Sequence, residues 1–148
     1  MKIIVDTNVI ISAILNPSEK IGELLMYAQK EFRFYAPYLV KEEIKRHKAK
    51  LIELSQMHSD DFDDVRDLIF ECITFISEEQ IPFEYWQNAL PFVREVDIDD
   101  IVFVALSDYI NAKLWTGDKK LLSGIYKKGF QRGLSTDDVY ALKNSIRE

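Results

Sequence analysis

Cysteine is almost missing from this 148-residue chain, in which Cys72 stands alone. That excludes an internal disulfide framework and a cysteine-built zinc site, and Cys72 is expected to be a small core residue. Histidine is nearly as scarce: His47 and His58 have neither the spacing of paired metal ligands nor a nucleophile beside them, and read as surface or capping residues. Five Gly and four Pro, with no repeat or low-complexity tract, leave no disordered linker. No apolar run approaches the ~18 residues that a membrane span needs. The first residues also lack the long apolar core of a signal peptide, so a soluble, cytoplasmic protein is expected. Positive charge is short as well: 19 Lys and Arg face 25 Asp and Glu, a net charge of −6. This argues against a protein that holds nucleic acid on a broad basic surface. It leaves room for an enzyme that meets phosphate through a bound cation, because a carboxylate site itself makes a chain acidic, and for a basic partner.

What is present is 47% hydrophobic residues, enough for one domain of this length to bury roughly 68–70% of its unfolded surface. Ile3-Ile4-Val5 is a β-branched apolar run, read as a strand buried on both faces. It stops at Asp6-Thr7-Asn8, and an apolar helical pattern begins at Val9. Further along, the spacing predicts helices over about 21–29, 38–54 and 60–72, with strands over 32–36 and about 74–76. Pro82 is placed to open the next helix. Asp97-Ile98-Asp99-Asp100 precedes six apolar residues, 101–106. That run fits a buried strand or a helix covered on all sides; the leading aspartates and the continuing pattern favour the helix. Lys113–Thr116 reads as a strand halted by Gly117-Asp118, a short helix follows over 119–126, another short strand is placed around Phe130, and Ser135 caps the final helix. Strands alternating with helices imply an α/β fold with a short, mainly parallel sheet covered on both faces.

Ligands of such sheets bind outside the carboxyl ends of the strands. Two strands end in matching chemistry there, Asp6-Thr7-Asn8 and Thr116-Gly117-Asp118. Helices run back from that edge, so Asp100 in the first turn of its helix reaches the same rim, and Glu43, early in the helix after the second strand, leans toward it. Helix phase sets Glu42 and Glu43 about 100° apart, so only one of them faces a given cleft. The simpler reading of Asp6, Asn8 and Asp100 is helix capping, and Asp97 and Asp99 are read as caps or peripheral ligands. Four unpaired carboxylates would repel one another unless a divalent cation neutralised them, and oxygen-only ligands favour Mg²⁺ or Mn²⁺.

Asp6-Thr7-Asn8 after the first strand, Glu43 within Val-Lys-Glu-Glu-Ile, Asp100 ahead of a buried helix, and Thr-Gly-Asp ending at Asp118 resemble the PIN-domain family. The flavour is that of the VapC-like toxins of toxin–antitoxin pairs. The resemblance runs over the whole chain and favours Asp100 over Asp99 and Glu43 over Glu42. It implies a three-layer α/β/α domain over residues 1–148, with a helical segment at about 55–95 that is longer than the compact toxins need. It further implies a metal-dependent endoribonuclease acting on single-stranded RNA, with Asp6, Glu43, Asp100 and Asp118 as catalytic, metal-binding acids. Asn8 and Thr116 would then be the polar groups that orient them. A homodimer and an antitoxin partner are also implied. Arg46 and Lys50, on the Glu43 side of its helix, are candidates for guiding the RNA backbone, although a solvated face is the simpler reading. Two alternatives are a catalytically silent PIN-like scaffold that binds RNA or protein, and a receiver-like signalling domain. The latter needs a phosphoacceptor Asp closing the central strand, whereas the second strand here closes with Ala36-Pro37.

Overall fold

The computed structural model describes residues 1–147. Five parallel strands, β1 (Lys2–Val5), β2 (Arg33–Pro37), β3 (Ile73–Ile76), β4 (Lys113–Trp115) and β5 (Gly133–Leu134), form one sheet in the order β3-β2-β1-β4-β5. Ile3, Ile4 and Val5 are buried on the central strand, as a β-branched run enclosed on both faces should be. Helices α1 (Thr7–Leu15), α2 (Lys20–Tyr27), α3 (Leu39–Ser55) and α4 (Ser59–Glu71) pack among themselves, and α5 (Phe83–Val93) packs on α6 (Ile101–Tyr109) and α7 (Lys119–Lys127). The first group connects β1 to β2 to β3, and the second serves the β4 side. Right-handed crossovers with this strand order place the two groups on opposite faces of the sheet. The result is an α/β/α sandwich, with α8 (Thr136–Arg147) beside β5.

The six-residue apolar run is a helix: residues 102–107 of α6 are buried, and α6 touches β1, β2 and β4. Ser107, buried among them, donates its hydroxyl to the Val104 carbonyl at 2.8 Å, which satisfies the one polar side chain there. Trp115 is fully buried on β4, and its indole N–H reaches the Thr136 hydroxyl at 3.0 Å. A tight approach fixes the start of α2: a Cβ added at Gly22 would lie 2.4 Å from the Pro17 carbonyl oxygen. Ser135 and Asp138 exchange hydrogen bonds of 2.9 and 3.1 Å across the first turn of α8, a reciprocal cap.

Two expectations are corrected. The last strand is Gly133–Leu134, not a segment around Phe130. Phe130 is buried against Phe92, at a ring separation of 5.6 Å, where its aromatic bulk fills the core rather than a ladder. Pairing with β4 begins only where Leu114 N–H meets the Arg132 carbonyl at 2.8 Å. Cys72 is half-buried, with its thiol 3.0 Å from the Gln29 amide, rather than a core residue. The segment 55–95 is mostly helical, and the short strand expected within it at about 74–76 is β3, an edge strand of the main sheet. Among the described residues no helix is long and apolar enough to cross a membrane.

Candidate active site

The strand order reverses direction at β1, whose neighbours are β2 and β4. A crevice opens outside the carboxyl ends of the strands at such a point. Here it is a cleft of about 500 Å³ with Asp6, Asn8, Glu43, Arg46, His47 and Asp100 in its walls. A second groove of about 280 Å³ lies on the far side of Asn8 and is lined by Gly117 and Asp118.

Asp6 is almost fully buried, only 4% exposed. Its N–H is held in the ladder by the Trp115 carbonyl at 3.2 Å, and its carboxylate caps α1 by accepting the Val9 N–H at 2.9 Å. Burial pushes its carboxyl up to about 6, with the Asp118 charge adding to the rise, against hydrogen bonds from the Thr116 hydroxyl and the Val9 and Asn8 amides. Thr116 is buried between the two strand ends; its hydroxyl faces Asp6 and accepts the Asp118 N–H at 3.0 Å. Asp118 caps α7 through the Lys120 and Leu121 amides at 3.0 and 3.1 Å. Asp100 closes a 3₁₀ turn (Ile98–Asp100) that Asp97 caps by accepting the Asp99 N–H at 3.0 Å. Burial pushes the Asp100 carboxyl up to about 7, and Asp97, Asp6, Asp118 and Asp99 each add to the rise. Asp6, Asp100 and Asp118 therefore feel one another's charge. Glu43 lies on the cleft side of α3, and Glu42 is exposed in the first turn.

Among the described residues, the ion pairs engage other carboxylates and leave Asp6, Glu43, Asp100 and Asp118 without a Lys or Arg partner. The donors on offer are all oxygen, the set that suits a hard divalent cation. Beside Asp6, Thr7 lines the cleft, and its buried hydroxyl oxygen has no hydrogen-bond partner among the described residues. Among the described residues, however, no three Asp, Glu, His or Cys side chains stand close enough to enclose one ion as they are placed.

Of the RNA-guiding candidates, Arg46 lines the cleft, whereas Lys50 lies one turn further along α3, exposed and outside its wall. His47, read from the sequence as a surface or capping residue, Asp99, read as a cap or peripheral ligand, and Thr7, given no role of its own, also line the cleft. The spacing already sets His47, four residues after Glu43, on the same face of α3; its place in the cleft wall is what the spacing leaves open.

A family-wide profile of the PIN domain matches residues 4–137, from β1 to the start of α8 and through the segment 55–95. The chain belongs to the PIN-domain family. PIN domains are generally nucleases, and PIN nucleases generally use divalent metal ions. Among solved structures, the fold is similar to a chain of the VapBC2 crystal structure from Rickettsia felis bound to a DNA fragment from their promoter. The two share 14% identity at a TM-score of 0.70, over 91% of this chain and 98% of that one. No curated protein matches the chain in sequence. The receiver alternative falls with the family assignment and with the topology. The flavodoxin-like order runs 2-1-3-4-5, whereas here β1 is central and β3 is an edge strand ending at Ile76.

Proposed function

We propose that this PIN domain is a metal-dependent endoribonuclease that cleaves phosphodiester bonds of single-stranded RNA, and that it acts in the cytoplasm as the toxin of a toxin–antitoxin pair. One observation supports the reading above the others: Asp6, Glu43 and Asp100 line one cleft, the Asp118 charge reaches Asp6 and Asp100 from the neighbouring groove, and among the described residues none of the four has a Lys or Arg partner. These four acids would hold Mg²⁺ or Mn²⁺, with Thr7 in the cleft wall beside Asp6. When bound, such an ion supplies charge neutralisation and Lewis acidity at phosphorus. Thr116 fixes Asp6 and Asp118 relative to each other, and Asn8 stands between the two grooves. Arg46 offers the phosphate backbone a guanidinium at the cleft wall, with Lys50 further out along α3. A homodimer and an antitoxin protein complete the reading. Their support is the family membership and the likeness of fold to a VapBC2 chain.

The test is incubation of purified protein with mixed single-stranded RNA, with Mg²⁺ or Mn²⁺ and with EDTA. Cleavage that needs the cation, and that disappears in Asp118→Asn, supports the reading. A silent scaffold that binds RNA or protein is the second reading, favoured because no three of the acids enclose an ion as placed. It predicts RNA retention with no cleavage under any cation. Growth arrest on expression, relieved by Asp6→Asn, tests the toxin role.

A further inference from the structure

The helices that bring acids to the rim are not secured alike. Asp6 caps α1 and Asp118 caps α7, so those two acids hold their own helices in place. The residue before α3, Tyr38, has a helical backbone and offers no side-chain cap, and Pro37 precedes it. The first turn of α3 is held instead from a segment some forty residues later in the chain. Tyr38 N–H donates to the Ile76 carbonyl at 2.9 Å, and Leu39 N–H donates to the Glu78 carboxylate at 2.5 Å. Glu78 is itself fixed, because it opens a 3₁₀ turn (Glu78–Gln80) closed by Ile81 N–H on its carbonyl at 3.1 Å. Ile81 is buried, and its carbonyl accepts the Trp86 indole N–H at 3.2 Å.

We infer that Glu78 is a positioning residue for the site: from outside the cleft, its carboxylate anchors the first turn of α3 and thereby sets where Glu43 stands. This rests on the nuclease reading and gives the segment 55–95 a part in it. The physical grounds are two. A carboxylate at a helix N-terminus satisfies an amide that would otherwise lack a partner and complements the helix dipole. Leu39 and Glu43 are four residues apart, so they share a face, and both line the cleft. Any tilt at Leu39 is passed to the Glu43 carboxylate.

The experiment compares wild type with Glu78→Ala, Glu78→Asp and Glu78→Gln by three readouts. These are Mn²⁺ binding by calorimetry, kcat and KM on single-stranded RNA, and amide hydrogen exchange over residues 39–43. Glu78→Ala is expected to speed exchange in that turn, to weaken Mn²⁺ binding by about 10-fold to 100-fold, and to lower kcat while leaving KM for RNA unchanged. Glu78→Asp, a methylene shorter, should behave likewise, and Glu78→Gln, which keeps an acceptor at full length, should restore most of the loss. Unchanged exchange at 39–43, or a folded Glu78→Ala or Glu78→Asp that binds Mn²⁺ and turns over like wild type, overturns the inference. Wild-type protein that neither binds Mn²⁺ nor cleaves RNA overturns the nuclease reading and this inference with it. That outcome is told apart because it appears without any mutation.

Discussion

Away from the rim, Glu31, Asp63, Glu95 and Asp137 each lie against a cation. Their partners are Arg147, Lys48 with Arg66, Lys128 and Lys20. Each of these carboxyls is held below its usual range by hydrogen bonding to that cation. At the rim of the sheet the opposite holds: Asp6 and Asp100 are pushed up by burial and by other carboxylates. Away from the rim even the Glu31 side chain, only 7% exposed, has a cation against it, whereas among the described residues the rim acids have no Lys or Arg partner. Folding alone gives no reason for that distribution. A site that receives a cation from solution does, because a resident Lys or Arg would compete with it.

The sharpest way to break the comparison is to remove one rim acid. Asp6→Asn and Asp118→Asn keep their helix caps, since Asn caps as well as Asp, so both variants should fold. Cleavage should nonetheless fall by more than the 10-fold to 100-fold typical of losing a group that merely orients a ligand. A purified, folded Asp118→Asn with wild-type rates on RNA would show that the unpaired rim carries no chemistry. A step smaller is Thr116→Val, which removes the hydroxyl between Asp6 and Asp118 while keeping the β-branched shape. A rate loss of about 10-fold to 100-fold is expected, with divalent-ion affinity weakened in the same sample.

How much of this could be read from residues alone follows from how local each cause is. The turn from Ile3–Val5 into Asp6-Thr7-Asn8 was legible because strand, cap and helix are contiguous. The buried helix α6 was legible because its leading aspartates break the symmetry between helix and strand. Helix phase lets only one of Glu42 and Glu43 face the cleft, family resemblance picks Glu43, and Glu43 is the one that lines the wall. The spacing puts His47 on the Glu43 face and Asp99 at a helix start, but chain position does not say that the cleft opens onto both. Spacing makes Lys50 a candidate for the rim and a solvated face the simpler reading; it lies exposed, outside the cleft wall. The strand at Gly133–Leu134 was misplaced because a two-residue ladder has no periodicity to detect, whereas Phe130 has high strand propensity and is used as core. The Glu78 contact spans 39 residues, a separation no local pattern encodes.

The two groups of carboxylates should also respond to pH in opposite directions. Asp6 and Asp100 have folded values of about 6 and about 7, against an ordinary value of 3.8. The folded protein therefore binds their protons more tightly than the unfolded chain does. Stability from these two is fully present below about pH 4 and is lost as pH rises through 6 and 7. The paired acids do the reverse: they stabilise above their ordinary values and lose that contribution on acidification below them. In EDTA, the melting temperature should thus decline from pH 5 to pH 8, and Mn²⁺ should raise it by several degrees at pH 8 and hardly at all at pH 5. Asp100→Asn should flatten the decline and stabilise the protein at pH 8 while abolishing its activity. A melting temperature independent of pH over this range would mean that the rim acids are not held in conflict.

The smallest effect is expected where the carboxylate is best partnered. Asp63 joins α4 to α3, with Lys48 at 2.7 Å and Arg66 at 3.0 Å. All three side chains keep a quarter to a third of their surface in solvent. Exposed pairs of this kind gain little, because water screens them and holding long side chains costs entropy. Asp63→Asn should therefore lower the melting temperature only slightly, by less again in high salt, and leave RNA cleavage and Mn²⁺ affinity untouched. If it instead depressed activity as far as Asp118→Asn does, the α3–α4 contact would be setting the position of Glu43 from below. The division between carboxylates that hold the fold and carboxylates that serve the site would then have to be redrawn with α3 on the side of the site along its whole length.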